Sequence, residues 1–169
     1  MEHIAEAVNE ARAYLRDHPD EARYPDSNAT AVMGDGLLCT VAGPAGASMQ
    51  TDMPASVGGS ALAAPPGWYM RAAAASCVAT LMAMRAAILG KILAGLSVTV
   101  GSESDDRGIL GVDEAIPSGP FSVNIAITAE SIAEEELRAI AEWALKHCPV
   151  TDAIARAVPL TTEVSSRQS

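Results

Sequence analysis

The chain has 169 residues and a formal net charge of −10, with 49% hydrophobic residues but only 4% aromatics. That length suits one core better than two, and a core of small alanine and valine side chains must pack very closely, or against a second copy, to bury enough area. The acidity excludes a nucleic-acid footprint of clustered Lys and Arg and opposes contact with an acidic membrane surface.

Residues 2–17 predict a surface helix, because Ile4, Val8, Ala11 and Leu15 recur at helical spacing. The stretch "HPDEARYPDS" ends it, so residues 1–25 are expected to form a helical extension docked on a main domain, 26–169. The first residues, "MEHIAEAVNEARAYL", lack the basic start and apolar block of a secretory signal, and a cytoplasmic location is expected.

Residues 28–54 read as strands. "NATAVMGDGLLCTVAG" has a Gly-Asp-Gly turn between two β-favouring runs, which predicts a hairpin, and "AGASMQTDM" predicts a third strand. The uncharged loop "SVGGSALAAPPG" follows. Pro66 suits the first turn of a helix, where a missing N–H costs nothing, and the helix is expected to run to about Leu89. It is apolar on nearly all sides, as befits a central core helix or a subunit interface. Its uncharged stretch, Ala72 to Met84, lies between Arg71 and Arg85 and falls short of the ~20 residues that span a bilayer.

"LSVTVGSESDD" and "FSVNIAITAES" predict two further strands, joined by the loop "RGILGVDEAIPSGP". Ser131 and Glu134 form the S-x-x-E pattern of a capping box that opens a helix. Glu134, Glu135 and Glu136 at its positive end, and Lys146 and His147 at its negative end, complement the dipole. Leu137, Ile140, Ala141 and Ala144 form its inner stripe. "VPLTTEV" predicts a last short strand. The order β-β-β-α-β-β-α-β gives an α+β fold with mostly antiparallel pairing.

The chemistry rests on cysteines. Three is an odd count and a poor disulfide framework; in a reducing compartment such residues are free, buried or catalytic. Cys77 shares a helix stripe with Met70 and Met84, two turns away on either side. Read alone, it is core packing as readily as a reactive thiol, and burial by itself makes a thiol inert. Cys148 precedes Pro149, which can start a short helix "PVTDAIARA" and place Cys148 at its N-cap, where a thiolate is favoured. A small residue at a helix corner is the alternative reading. His147 is adjacent, and Asp152 adds opposing negative charge. Cys39 reads as a packed strand residue. The histidines are scattered, no metal-ligand spacing appears, and no cofactor is expected.

The run "PPGWYMRAAAASCVAT", the loop and strand "DDRGILGVDEAIPSGPFSVNI", and "HCPVTDAI" together resemble the OsmC/Ohr family of thiol-dependent peroxidases, over roughly residues 28–164. The resemblance implies an intertwined homodimer with long buried core helices at its centre and sites at the subunit interface. It implies that Cys77 attacks the O–O bond of an organic hydroperoxide and becomes a sulfenic acid. Cys148 then condenses with it to a disulfide, which an external dithiol reduces, a cycle of oxidative stress defence. Active members of the family resemble one another in an Arg on the early strands and a Glu about ten residues before the first cysteine. Here that second position is Gly67; no Arg or Lys lies between Arg23 and Arg71, and no Glu between Glu21 and Glu103. Arg71, Arg107 and His147 are the candidate supporting groups in this chain. A second function on the same scaffold is the binding of a small hydrophobic ligand at the interface, in a pocket lined by Trp68, Tyr69, Met70 and Met84.

Overall fold

Residues 66–88 set the architecture. They are rich in alanine, the best helix former, and carry bulkier Val78, Leu81 and Met82 on one side. In the computed structural model, which describes residues 1–166, they form one helix, α2 (Pro66–Ile88), entered through Pro65 with Pro66 in its first turn. The last three residues of the expected main domain, 167–169, lie outside the described residues.

An amphipathic helix α1 (Glu2–Asp17) precedes it and lies against α2, with Ile4, Ala5 and Val8 half-buried and every charged side chain exposed. Three short strands follow: β1 (Thr30–Met33), β2 (Cys39–Ala42) and β3 (Ser48–Thr51). They pair in chain order, antiparallel, with Met33 opposite Cys39 and Cys39 opposite Thr51. The Gly-Asp-Gly stretch makes the expected hairpin turn, with Gly36 at a positive φ of 62° that L side chains rarely adopt.

After α2 come β4 (Ala94–Glu103) and β5 (Ser122–Glu130), a long antiparallel pair. The loop between them holds one short helix, α3 (Asp106–Ile109). Then come α4 (Glu134–His147) and α5 (Pro149–Ala155). The fold is therefore mixed helix and antiparallel sheet. Its core lies among the helices, where Val78, Met82 and Ala86 of α2 meet Ile140 and Ala144 of α4 and Cys148, all essentially without solvent contact. Leu96, Val98 and Ile127 cover this cluster from β4 and β5. By length and composition α2 passes as a membrane-crossing helix, but it packs on α1, α4, α5 and β4 of its own chain.

Two expectations fail. The Ser131–Glu134 capping box does not form: α4 has Ala133 at its N-cap, with no side-chain bond there. Ser131 sits at φ 58°, turning the chain sharply out of β5, and Ile132 then packs on the core before the helix begins. The acidic first turn, Glu134 to Glu136, supports the helix end without a side-chain cap. Nor is "VPLTTEV" a strand. Residues 158–164 run exposed with no partner strand, Leu160 and Val164 almost fully so. A β-favouring run makes a strand only where a neighbouring edge is free to pair with it, and here none reaches it.

Candidate functional site

The corner between α4 and α5 is built by "HCPVT". Proline at 149 cannot continue α4, but its fixed φ suits a first helical position. Cys148 is thereby left extended (φ −82°, ψ 113°) as C-cap of α4 and N-cap of α5. The backbone N–H of Thr151 donates to Cys148 Sγ at 3.5 Å. The Thr151 hydroxyl donates to the carbonyls of Leu145 (3.1 Å) and Cys148 (3.2 Å), tying the corner shut. The thiol is completely buried.

Cys77, on α2, is half-buried and packs against the buried cluster to which Cys148 belongs. The two thiols differ in character. Burial pushes the Cys77 thiol up, and the neighbouring Cys148 thiol adds to this, against a smaller lowering effect of the Val150 N–H. Burial also works to raise Cys148, yet the neighbouring Thr151, with its N–H on the sulfur, the Cys77 thiol and the Val150 N–H outweigh it, and this thiol lies below its ordinary range. Each donor aimed at a sulfur favours its anion.

The supporting groups suggested by the sequence stand elsewhere. Arg71 donates to Ser102 Oγ on β4 at 3.1 Å. Arg107 chelates Asp105 through Nε and Nη2, and holds that carboxylate down to about 2. His147 stacks on Trp143 at 4.2 Å between ring centres, with Nδ1 at 2.7 Å from the Trp143 carbonyl, turned back along α4. Arg85 sits over the same indole at 5.2 Å. No cation or carboxylate among the described residues acts on either sulfur.

The four pocket residues are not gathered. Met70 lines a cavity of about 360 Å³ with Met53, Pro66, Arg71, Asp106 and Ile109. Trp68 is about half exposed and meets Tyr69 edge to face, while the Tyr69 hydroxyl donates to the Gln50 carbonyl at 2.8 Å. Met84 is two further helical turns beyond Cys77, about 21 Å from Met70 along the axis.

Two groups escaped the sequence reading. Thr151 is one; a threonine three residues after an N-cap cysteine offers both an N–H to the sulfur and a hydroxyl to the corner, and "CPVT" carries that signal. Asp52 is the other. It is 1% exposed, and its carboxylate accepts the N–H groups of Met53 (2.7 Å), Ser60 (3.1 Å) and Leu62 (3.1 Å). The bond from Leu62 is the main cause that holds it below the usual carboxylate range, with Met53 and Ser60 adding to it against the opposing effect of burial. Gly59 closes the same loop where a Cβ would strike the Met53 carbonyl oxygen. The lone aspartate of "TDMP" gave no sign of this in the sequence, since its donors come from ten residues of loop.

Residues 58–163 match the family model described as OsmC-like protein. No match was found among curated proteins. Three crystal structures are similar in fold. An organic hydroperoxide resistance protein OsmC from Legionella pneumophila is 21% identical over 79% of this chain and 91% of its own, with a TM-score of 0.60. An OsmC like protein from Mycoplasma pneumoniae is 16% identical over 78% and 89%, with a TM-score of 0.63. The organic hydroperoxide resistance protein OhrB of Bacillus subtilis is 15% identical over 78% and 91%, with a TM-score of 0.57. At such identities the likeness speaks to the fold.

Proposed function

From the premise that this chain belongs to the OsmC-like family, we propose that it reduces organic hydroperoxides through Cys77 and Cys148. The observation that carries the reading is the packing of Cys77, on α2, against the buried cluster that holds Cys148 at the α4–α5 corner, two cysteines 71 residues apart in sequence. The Cys77 sulfur attacks one peroxide oxygen, the O–O bond breaks, the sulfur is oxidised to sulfenic acid and the peroxide leaves as an alcohol. The Cys148 sulfur then displaces the hydroxyl, which leaves as water, and an S–S bond forms. An external dithiol restores both thiols by exchange. Cys77 is the sulfur that meets the peroxide, because Cys148 has no exposed surface.

The reading includes a homodimer. The three-stranded sheet presents Ala31, Met33, Cys39, Val41 and Met49 on one face by strand alternation, and this chain leaves most of that face uncovered. A second copy is the natural cover. It also includes a cytoplasmic setting, supported by three free cysteines, and residues 1–25 as an extension of a domain beginning near residue 26.

The test is one equivalent of cumene hydroperoxide added to the reduced protein. Rapid loss of two thiols, with an intact mass lower by two hydrogens, is expected; Cys77→Ser should abolish it. Thiols that stay reduced for hours would sink the reading. The cavity beside Met70 and Arg71, with no cation acting on Cys77 among the described residues, favours a second one in that case: a binding protein for a small hydrophobic ligand, read by retention of such a ligand on purification.

A further inference from the structure

Cys77 lacks what usually makes a thiol reactive. Desolvation holds its proton, and every charged group on the elements around it is engaged or turned away. On α2, Arg71 is bound to Ser102 and Arg85 lies over Trp143. On α4, His147 is folded onto Trp143, and Lys146 is exposed. On α5, Asp152 pairs with Arg156. On β4 and β5, Glu103 and Glu130 are exposed, as is every charged side chain of α1. Among the described residues, the titratable group in the buried cluster against which Cys77 packs is the thiol of Cys148.

Cys148 is built to hold negative charge. Its position between α4 and α5 directs the Thr151 N–H onto Sγ, and the Thr151 hydroxyl fixes the corner so that this N–H stays aimed. Its complete burial keeps it from meeting a peroxide itself. The direction of the two thiol affinities agrees: Cys148 is the more acidic of the pair, Cys77 the less.

We propose that Cys148 is the proton acceptor that activates Cys77, in addition to being its disulfide partner, and so stands in for the charged pair that is absent from its usual place in this chain. The inference rests on the peroxidase reading of the site. In the reacting form of the pair, Cys148 has released its proton to solvent and Cys77 S–H faces Cys148 S⁻. As the peroxide arrives, the proton passes to Cys148 and the Cys77 thiolate attacks. The O–O bond breaks, Cys77 becomes a sulfenic acid, and the alkoxide takes the proton back from Cys148. The regenerated Cys148 thiolate then forms the S–S bond and expels hydroxide, which is neutralised by the solvent proton that Cys148 released on ionising. Counting that released proton, two thiols and one hydroperoxide yield one disulfide, one alcohol and one water.

A partner that acts only after oxidation leaves the first step alone; a proton acceptor does not. The experiment therefore follows Cys77 in the full chain, wild type against Cys148→Ser and Cys148→Asp. It reads the single-turnover rate of sulfenic acid formation with cumene hydroperoxide and the rate of alkylation by iodoacetamide, both against pH. The cleavage fragment bounded by Arg71 and Arg85 reports Cys77 alone. At pH 7 the serine variant is expected to lose about a hundredfold in the first step, a size typical of a lost acid–base group, with its pH profile moved upward. The aspartate variant, which cannot form the disulfide but can take a proton and accept the Thr151 N–H, should recover most of the loss. Equal rates in wild type and the serine variant would overturn the proposal. So would equal losses in both variants, which would mean that sulfur packing and not proton transfer matters. Should the wild type ignore the peroxide while its alkylation follows the same serine and aspartate pattern, the peroxidase reading falls and the proton relay stands.

Discussion

In the helical half, Val78, Met82 and Ala86 of α2 lose all contact with water against Ile140, Ala144 and Cys148. In the three-stranded sheet, every residue of β1 is exposed, and Val32 and Met33 are more than half so. Both regions are apolar in sequence, so composition does not explain the difference. Geometry does. A long helix with alanine at most contact positions lets neighbouring helices approach closely, and one chain can then complete the packing. The three-stranded sheet has an apolar face that the other described elements leave mostly exposed. The helices complete their packing within the chain, and the sheet leaves most of one face open among the described residues.

The largest effect that tests this contrast is chemical. Cys77→Ser should abolish peroxide consumption in a coupled dithiol assay while leaving the helical core intact, since serine replaces a half-buried side chain of similar size. Next comes the core itself. Ile140→Ala removes a side chain that is 1% exposed and should cost about 2–5 kcal/mol in urea unfolding. The sheet should behave the opposite way. Val41→Asp, on its open face, should halve the mass measured by light scattering and leave the near-UV signal of the helical half, with its Trp143, in place. If instead it unfolds the whole chain with unchanged assembly, the sheet is part of one core and the contrast fails.

The loop from Asp52 to Leu62 gives a smaller, pH-dependent effect. Asp52→Asn should lower the melting temperature by several degrees at pH 7. The native carboxylate is held below its ordinary range, so its stabilisation is present above the unfolded carboxylate value and is lost as pH falls through the native one. The gap between wild type and variant should therefore close in acid. Smallest of all is Lys91→Ala, which breaks an exposed pair with Glu136 and should change unfolding free energy by less than about 0.5 kcal/mol.

Much of this was legible in the sequence where the signal was local. Pro66 before an alanine-rich run fixed the start of α2, alternation marked β4 and β5, and Pro149 placed Cys148 at a helix start. The errors arose where a partner decided the outcome. Ser131 and Glu134 have the spacing of a cap, but Ile132 is drawn into the core and delays the helix. Residues 158–164 favour β structure and find no edge. At the site, spacing put Met70, Cys77 and Met84 on one stripe, but no periodicity tells that Arg71 reaches Ser102 on a strand 31 residues away, or that Thr151 aims its N–H at a sulfur.

The meeting of α2 with the α4–α5 corner has a consequence beyond chemistry. A bond between Cys77 and Cys148 would close a loop of about 70 residues, and by the chain-entropy relation such a closure is worth about 4 kcal/mol against unfolding. That is a large share of the stability of an ordinary domain. The oxidised protein would then survive heat and proteolysis that clear its reduced form, and a melting curve taken from a cell lysate would record how recently the chain had met an oxidant.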